Sequence, residues 1–372
     1  MKKIVFFQLL FSTLFFDSFL GFQGLSLYPV FICSIILYIF NKNVNFNSYD
    51  YNSIIIVTGS LITSLFYLNY KFGFDLNLFK AYITAIIGIF VFYTSYSSYL
   101  KCGKQYILNT VNYVIFINVF VLFFQYFLWH VFNTDLNFGK LLLGFGHRAT
   151  GFNLSYRPTG FFDEPGIYGV FIYSLFIIKY LLIGKLERCD FLIIGSILLT
   201  NSVYSFLLIF SFFTWLFIFK FKSKYKKKAQ LLFVILVLVG LALIFPRIIN
   251  VFDGNDYSTL TKVILLKNYI YDSCGYYIYG TGLLPSLYWP DFSFQAMGDM
   301  TFLLSTIIIY GIPLGIIILV SILLLISNRL NMYTLLIITP LLKLTMFNWV
   351  FFWMYILLVK VTLYFLESKN ED

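Results

Sequence analysis

The chain has 372 residues, of which 60% are hydrophobic and 11% charged, with a formal net charge of +10. A soluble domain of this length carries about a quarter charged residues, so an ordinary soluble fold is excluded and a polytopic membrane protein is expected. The positive charge falls in short separate segments, which makes it a topology signal before it is a binding signal.

A bilayer core takes about 20 apolar residues as a helix. Residues 111–132 and 301–326 each meet that length. The apolar residues come in solid blocks without period-2 alternation, so helices are expected and a β-barrel is not. The opening MKKIVFFQLLFSTLFF reads as a retained first span, because no small-residue cleavage site follows and Asp17 interrupts the run. Short basic segments lie at 1–3, 41–50, 101–104, 185–188, 220–228, 327–331 and 367–372; that at 220–228, KFKSKYKKK, has six lysines in nine residues. Placing them in the cytoplasm predicts twelve passes, at 4–22, 26–40, 53–70, 79–99, 106–132, 166–184, 191–202, 203–219, 230–246, 300–326, 332–347 and 349–366.

Both termini are then cytoplasmic, and residues 1–372 form one integral membrane domain. The stretch 191–219 is short for two spans; two tilted helices turning at Asn201 and Ser202, or a re-entrant element, fit its basic flanks. The pair within 332–366 is also tight, with Pro340 and Asn348 as kink and turn candidates. Two long segments, 133–165 and 247–299, are expected outside, where ATP and nucleotide sugars are absent. The four cysteines (Cys33, Cys102, Cys189, Cys274) match no metal or redox spacing, and only Cys274 falls in an external segment. His130 and His147 have no ligand-spaced partner, and there is no phosphate loop, so no metal and no cofactor are expected.

The most polar cluster at a membrane boundary is 157–169, RPTGFFDEPGIYG. Its segment supplies the cations Lys140, Arg148 and Arg157 against the positive-inside trend, and the carboxylates Asp135, Asp163 and Glu164. A helix is predicted to begin near Pro165 and Gly166, because proline suits the first turn. Asp163 and Glu164 then read either as a cap on the helix dipole or as chemical groups. Arg157 reads as an ion-pair partner, a headgroup contact, or half of an anion site built with the helix N-terminus. Later come 198–205, LLTNSVYS; the lysines Lys262 and Lys267; the pair Gly280 and Gly282; Asp299; and Gly311, Ile312, Pro313, Leu314, Gly315. On one helix Lys262 and Lys267, five residues apart, lie about 140° from each other.

These motifs, in this order, resemble the O-antigen polymerase and O-antigen ligase superfamily over residues 145–326. The likeness lies in Arg157, Gly160, Glu164 and Pro165 of the first external segment, and in Leu199, Thr200 and Ser202 of the next element. It continues with Lys262 or Lys267, the Gly280-x-Gly282 pair, and Asp299 opening a helix with Gly311 and Ile312. An arginine usually follows the second element; Val203 and Tyr204 stand there instead. Ligases tend to carry a histidine near the Asp299 position, and this chain has none, which favours a polymerase.

The resemblance implies an all-α, GT-C-like membrane architecture and inverting glycosyl transfer at the outer face of a bacterial plasma membrane. It implies donor and acceptor glycans on undecaprenyl diphosphate, with a chain-length regulator and a flippase as partners and no nucleic acid. Arg148, Arg157, Lys262 and Lys267 would bind diphosphate. Glu164 or Asp299 would orient or deprotonate the acceptor hydroxyl, and Gly160, Gly280 and Gly282 would shape the loops. Tyr156, Phe161, Tyr288 and Trp289 would either stack on sugars or anchor the interface. A ligase, or a lipid-linked oligosaccharide flippase with ionisable residues such as Lys343 along its path, is the alternative.

Overall fold

The computed structural model describes residues 1–14, 24–41, 46–138, 141, 156–220, 257–271, 278, 280–283, 300–326 and 332–367. The regular elements among them are helices. In chain order they are α1 (Lys2–Ser12), α2 (Gly24–Phe40), α3 (Ser48–Phe72), α4 (Leu76–Cys102), α5 (Lys104–Phe132) and α6 (Pro165–Ile183). There follow α7 (Asp190–Leu199), α8 (Val203–Phe219), α9 (Tyr257–Tyr271), α10 (Phe302–Ile326), α11 (Met332–Ile338) with a 3-10 turn (Thr339–Leu342), and α12 (Val350–Glu367). Six of these, α3 to α6, α10 and α12, are long and apolar enough to cross a membrane.

Local chemistry sets the boundaries. Asn47 and Asp75 cap α3 and α4, each side chain accepting from a backbone N–H three residues on at 2.7 Å. Pro165 occupies the first turn of α6, where its missing N–H costs nothing. The stretch 191–219 is the pair α7 and α8, joined through Thr200, Asn201 and Ser202, with Asn201 in the left-handed region at φ 47°. Asparagine tolerates that conformation better than most residues. The helix expected over 332–347 is shorter: α11 stops at Ile338 and tightens into the 3-10 turn. Pro340 sits in that turn, and its lack of an N–H prevents regular continuation. Residues 343–349 then run without helix to α12.

Helices α6 and α12 form the centre. They are the two most buried of the six membrane-length helices. Phe171 of α6 stacks on Phe351 of α12 with ring centroids 3.9 Å apart. On its far side α12 lies along α4, so close that a methyl group on Gly88 would stand 2.0 Å from the Trp353 ring. Helices α7, α8 and α5 pack around α6, while α10 runs along α3. Some buried polar side chains bond across helices: Gln8 of α1 donates to Ser34 of α2 and Ser95 of α4, each at 2.9 Å. Lys179 pairs with Asp190 at 2.6 Å, joining α6 to α7, and Lys360 pairs with Asp50 at 2.6 Å, joining α12 to α3.

The bundle has two chemically distinct ends. At one, Tyr106 donates to the carbonyl of Lys2, and Lys104, Gly184, Lys220, Tyr333 and Leu366 line one cleft. Helices α5 and α6 place Phe132 and Pro165 at the opposite end, which carries the motif residues described next.

Candidate functional site

The segment before α6 is pinned from beneath by a residue of α5. Gln125 is fully buried, and its carbonyl oxygen accepts from the backbone N–H groups of Thr159 and Gly160, both at 2.8 Å. Its amide donates to the Leu136 carbonyl at 2.9 Å. One side chain thereby satisfies three backbone groups of the segment between α5 and α6. Gly160 turns there at φ 62°, with the Tyr168 ring 3.4 Å from where a side chain would begin. On the approach to this turn Tyr156 stacks flat on Trp129, centroids 4.4 Å apart, and donates to Asp135 at 2.9 Å. Burial and the Asp135 carboxylate push the Tyr156 phenol up, so it stays a donor. Phe161 packs edge-on against Phe138. Two of the four aromatics expected to meet sugar or interface, Tyr156 and Phe161, thus have protein neighbours.

Arg157 is half-buried and reaches across to α7. Its Nε donates to the Thr200 carbonyl at 3.0 Å. That carbonyl ends α7, where the helix dipole is negative, so a guanidinium is well placed. Thr200 Oγ1 lies 3.0 Å from Ser205 Oγ. The first turn of α8 presses on α6: a methyl on Gly169 would stand 1.9 Å from Ser205 Oγ, and one on Gly166 3.5 Å from Ser202 Oγ. Tyr168 donates to Ser196 of α7 at 3.0 Å. The 157–169 and 198–205 motifs are therefore one packed unit, held by an arginine-to-carbonyl bond and by two glycines on one helix face.

Glu164 is the residue before α6, and its backbone oxygen accepts the first helical bonds from Ile167 and Tyr168. Its side chain makes no capping hydrogen bond. The carboxylate is half-buried, as is that of Asp163. Of the two readings of Glu164, the side-chain cap is absent in this geometry.

Lys262 lies on α9, and its Nζ stands 5.9 Å from the ring centre of Tyr204, in the first turn of α8. Lys267, on another face of α9, is exposed. Lys343, in the unwound stretch before α12, places its Nζ 4.7 Å from the same ring. The Tyr204 ring thus has two ammonium groups within cation–π range.

Gly280 and Gly282 have a backbone role. Helix α10 breaks at Gly311, whose φ is 77°, and Pro313 offers no N–H to the Ile309 carbonyl. Gly282 N–H donates to that carbonyl at 2.9 Å, and Thr281 N–H to the Ile308 carbonyl at 2.9 Å. A methyl on Gly280 would stand 2.2 Å from Ile309 O, and one on Gly311 2.4 Å from Ile278 O. The two glycine motifs of the second half of the chain are thus the two sides of one contact, which re-satisfies a broken helix. Tyr269 of α9 adds a hydrogen bond to the Ile307 carbonyl at 3.3 Å, which holds α9 beside the break.

Arg148, Asp299, Lys140, His147, Tyr288, Trp289 and Cys274 lie outside the described residues. Cys33, Cys102 and Cys189 are free thiols. Among the described residues no group of histidine, cysteine and carboxylate side chains could hold a metal ion. Gln125 is the residue that sequence reasoning missed; its signal was an amide inside the apolar run 111–132. Compared with known protein families, curated proteins and solved structures, the chain finds no match.

Proposed function

We propose that the protein is a polysaccharide repeat-unit polymerase, an inverting, metal-independent glycosyltransferase of a bacterial plasma membrane. In this reading the chain crosses the membrane twelve times with both termini in the cytoplasm. The 133–165 and 247–299 segments face outward, where O-antigen, capsule or exopolysaccharide chains are built. The donor is a growing glycan on undecaprenyl diphosphate, and the acceptor is a single repeat unit on the same carrier.

The observation that carries the reading is the meeting of three motifs far apart in sequence. Arg157 binds the end of the 198–205 element, and Lys262 of the 247–299 segment reaches Tyr204 of that same element. Cations delivered from separate segments to one place suit a leaving group that gains negative charge.

In the reaction, a hydroxyl oxygen of the acceptor attacks the anomeric carbon of the donor from the face opposite the diphosphate. The new carbon–oxygen bond forms as the bond from the anomeric carbon to the diphosphate oxygen breaks. The bond's electron pair leaves on undecaprenyl diphosphate, where Arg157, Arg148, Lys262 and Lys267 hold the charge. The hydroxyl proton goes to Glu164 or Asp299. Glu164 is favoured because its carboxylate is not committed to capping α6.

The test is genetic and biochemical together. Deleting the gene should leave surface glycan one repeat unit long, and Arg157→Ala, at normal protein level, should do the same. Complete absence of surface glycan on deletion would instead indicate a flippase. Full-length polymer left unattached to its final anchor would indicate a ligase.

A further inference from the structure

The geometry points to a binding site for the headgroup of an anionic phospholipid in the cleft at the opposite end of the bundle from the motifs, with Lys104 at the start of α5 and Lys220 at the end of α8 as its cations. The site shares no residue with the one described above and does not depend on the polymerase reading.

Three observations converge on this cleft. The first is its place. Lys104 is the first residue of α5, Gly184 follows the last residue of α6, and Leu366 is the last but one of α12. These three helices are long and apolar enough to cross a membrane, so the cleft sits where they leave the hydrocarbon. The second is its lining. Two ammonium groups share it with apolar side chains such as Leu182 and Leu366, and among the described residues that line it there is no carboxylate. Its volume is about 110 Å³. A single water needs about 10–15 Å³, so a group of several heavy atoms fits.

The third is the state of the two lysines. Among the described residues neither Lys104 nor Lys220 pairs with a carboxylate. Lys104 is half-buried and Lys220 exposed. Lys220 Nζ lies 3.5 Å from the Tyr333 hydroxyl and 5.4 Å from the centre of that ring, which places its ammonium group at the cleft. Basic pockets between transmembrane helices bind anionic headgroups. Cations beside apolar side chains match a phospholipid, whose phosphodiester meets its acyl chains within a few atoms. A choline headgroup brings an ammonium group of its own, which two lysines repel. Free phosphate has the same anionic chemistry but nothing for the leucines to cover.

The experiment uses the full-length protein purified in detergent, with bound lipid counted by native mass spectrometry. It is titrated with dioctanoyl phosphatidylglycerol, with dioctanoyl phosphatidylcholine, and with phosphatidylglycerol in the presence of inorganic phosphate. The variants are Lys104→Met, Lys220→Met, the two together, Lys104→Arg and, in the last turn of α3, Lys71→Met. The parent should prefer phosphatidylglycerol to phosphatidylcholine. Each single methionine variant should weaken phosphatidylglycerol about five-fold and the double variant more than about ten-fold. Lys104→Arg and Lys71→Met should stay within about two-fold of the parent, and about 0.5 M salt should weaken phosphatidylglycerol alone.

Undiminished phosphatidylglycerol affinity in the folded double variant overturns the inference. So does a parent that binds the two lipids equally. Weakening by Lys71→Met as large as that by Lys104→Met overturns it too, because the attraction would then be a general one of charge. Displacement of the lipid by inorganic phosphate at similar concentration would make this a site for a free anion and overturn the lipid assignment. If the methionine variants do not fold, the salt series on the parent decides, and a phosphatidylglycerol affinity indifferent to salt overturns the site.

Discussion

The buried and half-buried lysines of two regions of the bundle are held in different ways. Lys179 and Lys360 each meet a carboxylate at 2.6 Å, and those carboxylates are themselves 1% and 3% exposed. Lys343 and Lys262 stand instead over the face of Tyr204. A carboxylate at that distance cancels a lysine's charge and ties two helices together, so the pair is spent on the fold. The ring brings α9 and the 343–349 stretch against the first turn of α8. The first arrangement ties two helices together, and the second gathers three segments beside the end of α7. Substitutions in the two regions should therefore separate stability from activity.

The largest stability effect is expected at Lys179. Lys179→Met leaves Asp190 buried beneath α6 with its cation gone, which costs about 3–5 kcal/mol. The purified protein should melt far lower, or fail to accumulate. Joint replacement, Lys179→Met with Asp190→Leu, should recover most of the loss, because no uncompensated charge then remains. Equal melting of the single and double variants would break the comparison, since the Lys179–Asp190 pair would then not be what holds α6 to α7.

Gln125 should come next. Gln125→Leu strips the Thr159 and Gly160 N–H groups of their acceptor, at about 1–3 kcal/mol for each buried group. Glycan chain length should fall too, because these bonds hold the turn that precedes Arg157 and Glu164.

Much of the scaffold was legible in the sequence because its signals are local. Pro165 starts a helix for its own steric reasons, Asn201 turns inside a stretch too short for two full spans, and α8 occupies the predicted 203–219. The unwound 343–349 was legible only in outline. Pro340 marked a kink, but the length of the non-helical stretch depends on what α12 packs against. The site was legible in pieces and not as an assembly. The motifs at 157–169 and 198–205 were visible, while the Arg157 bond to Thr200 requires α6 and α7 to be side by side. Gly280 and Gly282 read as a turn; their role as donors to carbonyls freed at Gly311 and Pro313 is a tertiary fact. Lys343 read as an isolated mid-span charge, because nothing in periodicity says that its neighbour is Tyr204. Polar residues inside apolar runs, Gln125 and Lys343 alike, were the recoverable signal.

The smallest stability effect, with a large functional one, is expected at Glu164. A glutamate acting as a side-chain cap would be worth about 1 kcal/mol, but Glu164 makes no such bond. Glu164→Gln keeps the size of the side chain and the backbone bonds to Ile167 and Tyr168, so folding should change by less than about 0.5 kcal/mol. If Glu164 takes the acceptor proton, polymer growth should nevertheless fall by about 100-fold or more, with protein level and melting unchanged. Surface-glycan length and the melting curve of one purified variant therefore suffice. A fall in both together would return Glu164 to the scaffold, beside Asp190 and Asp50. Unchanged glycan length with unchanged melting would move the base to Asp299, the other carboxylate that the resemblance offers.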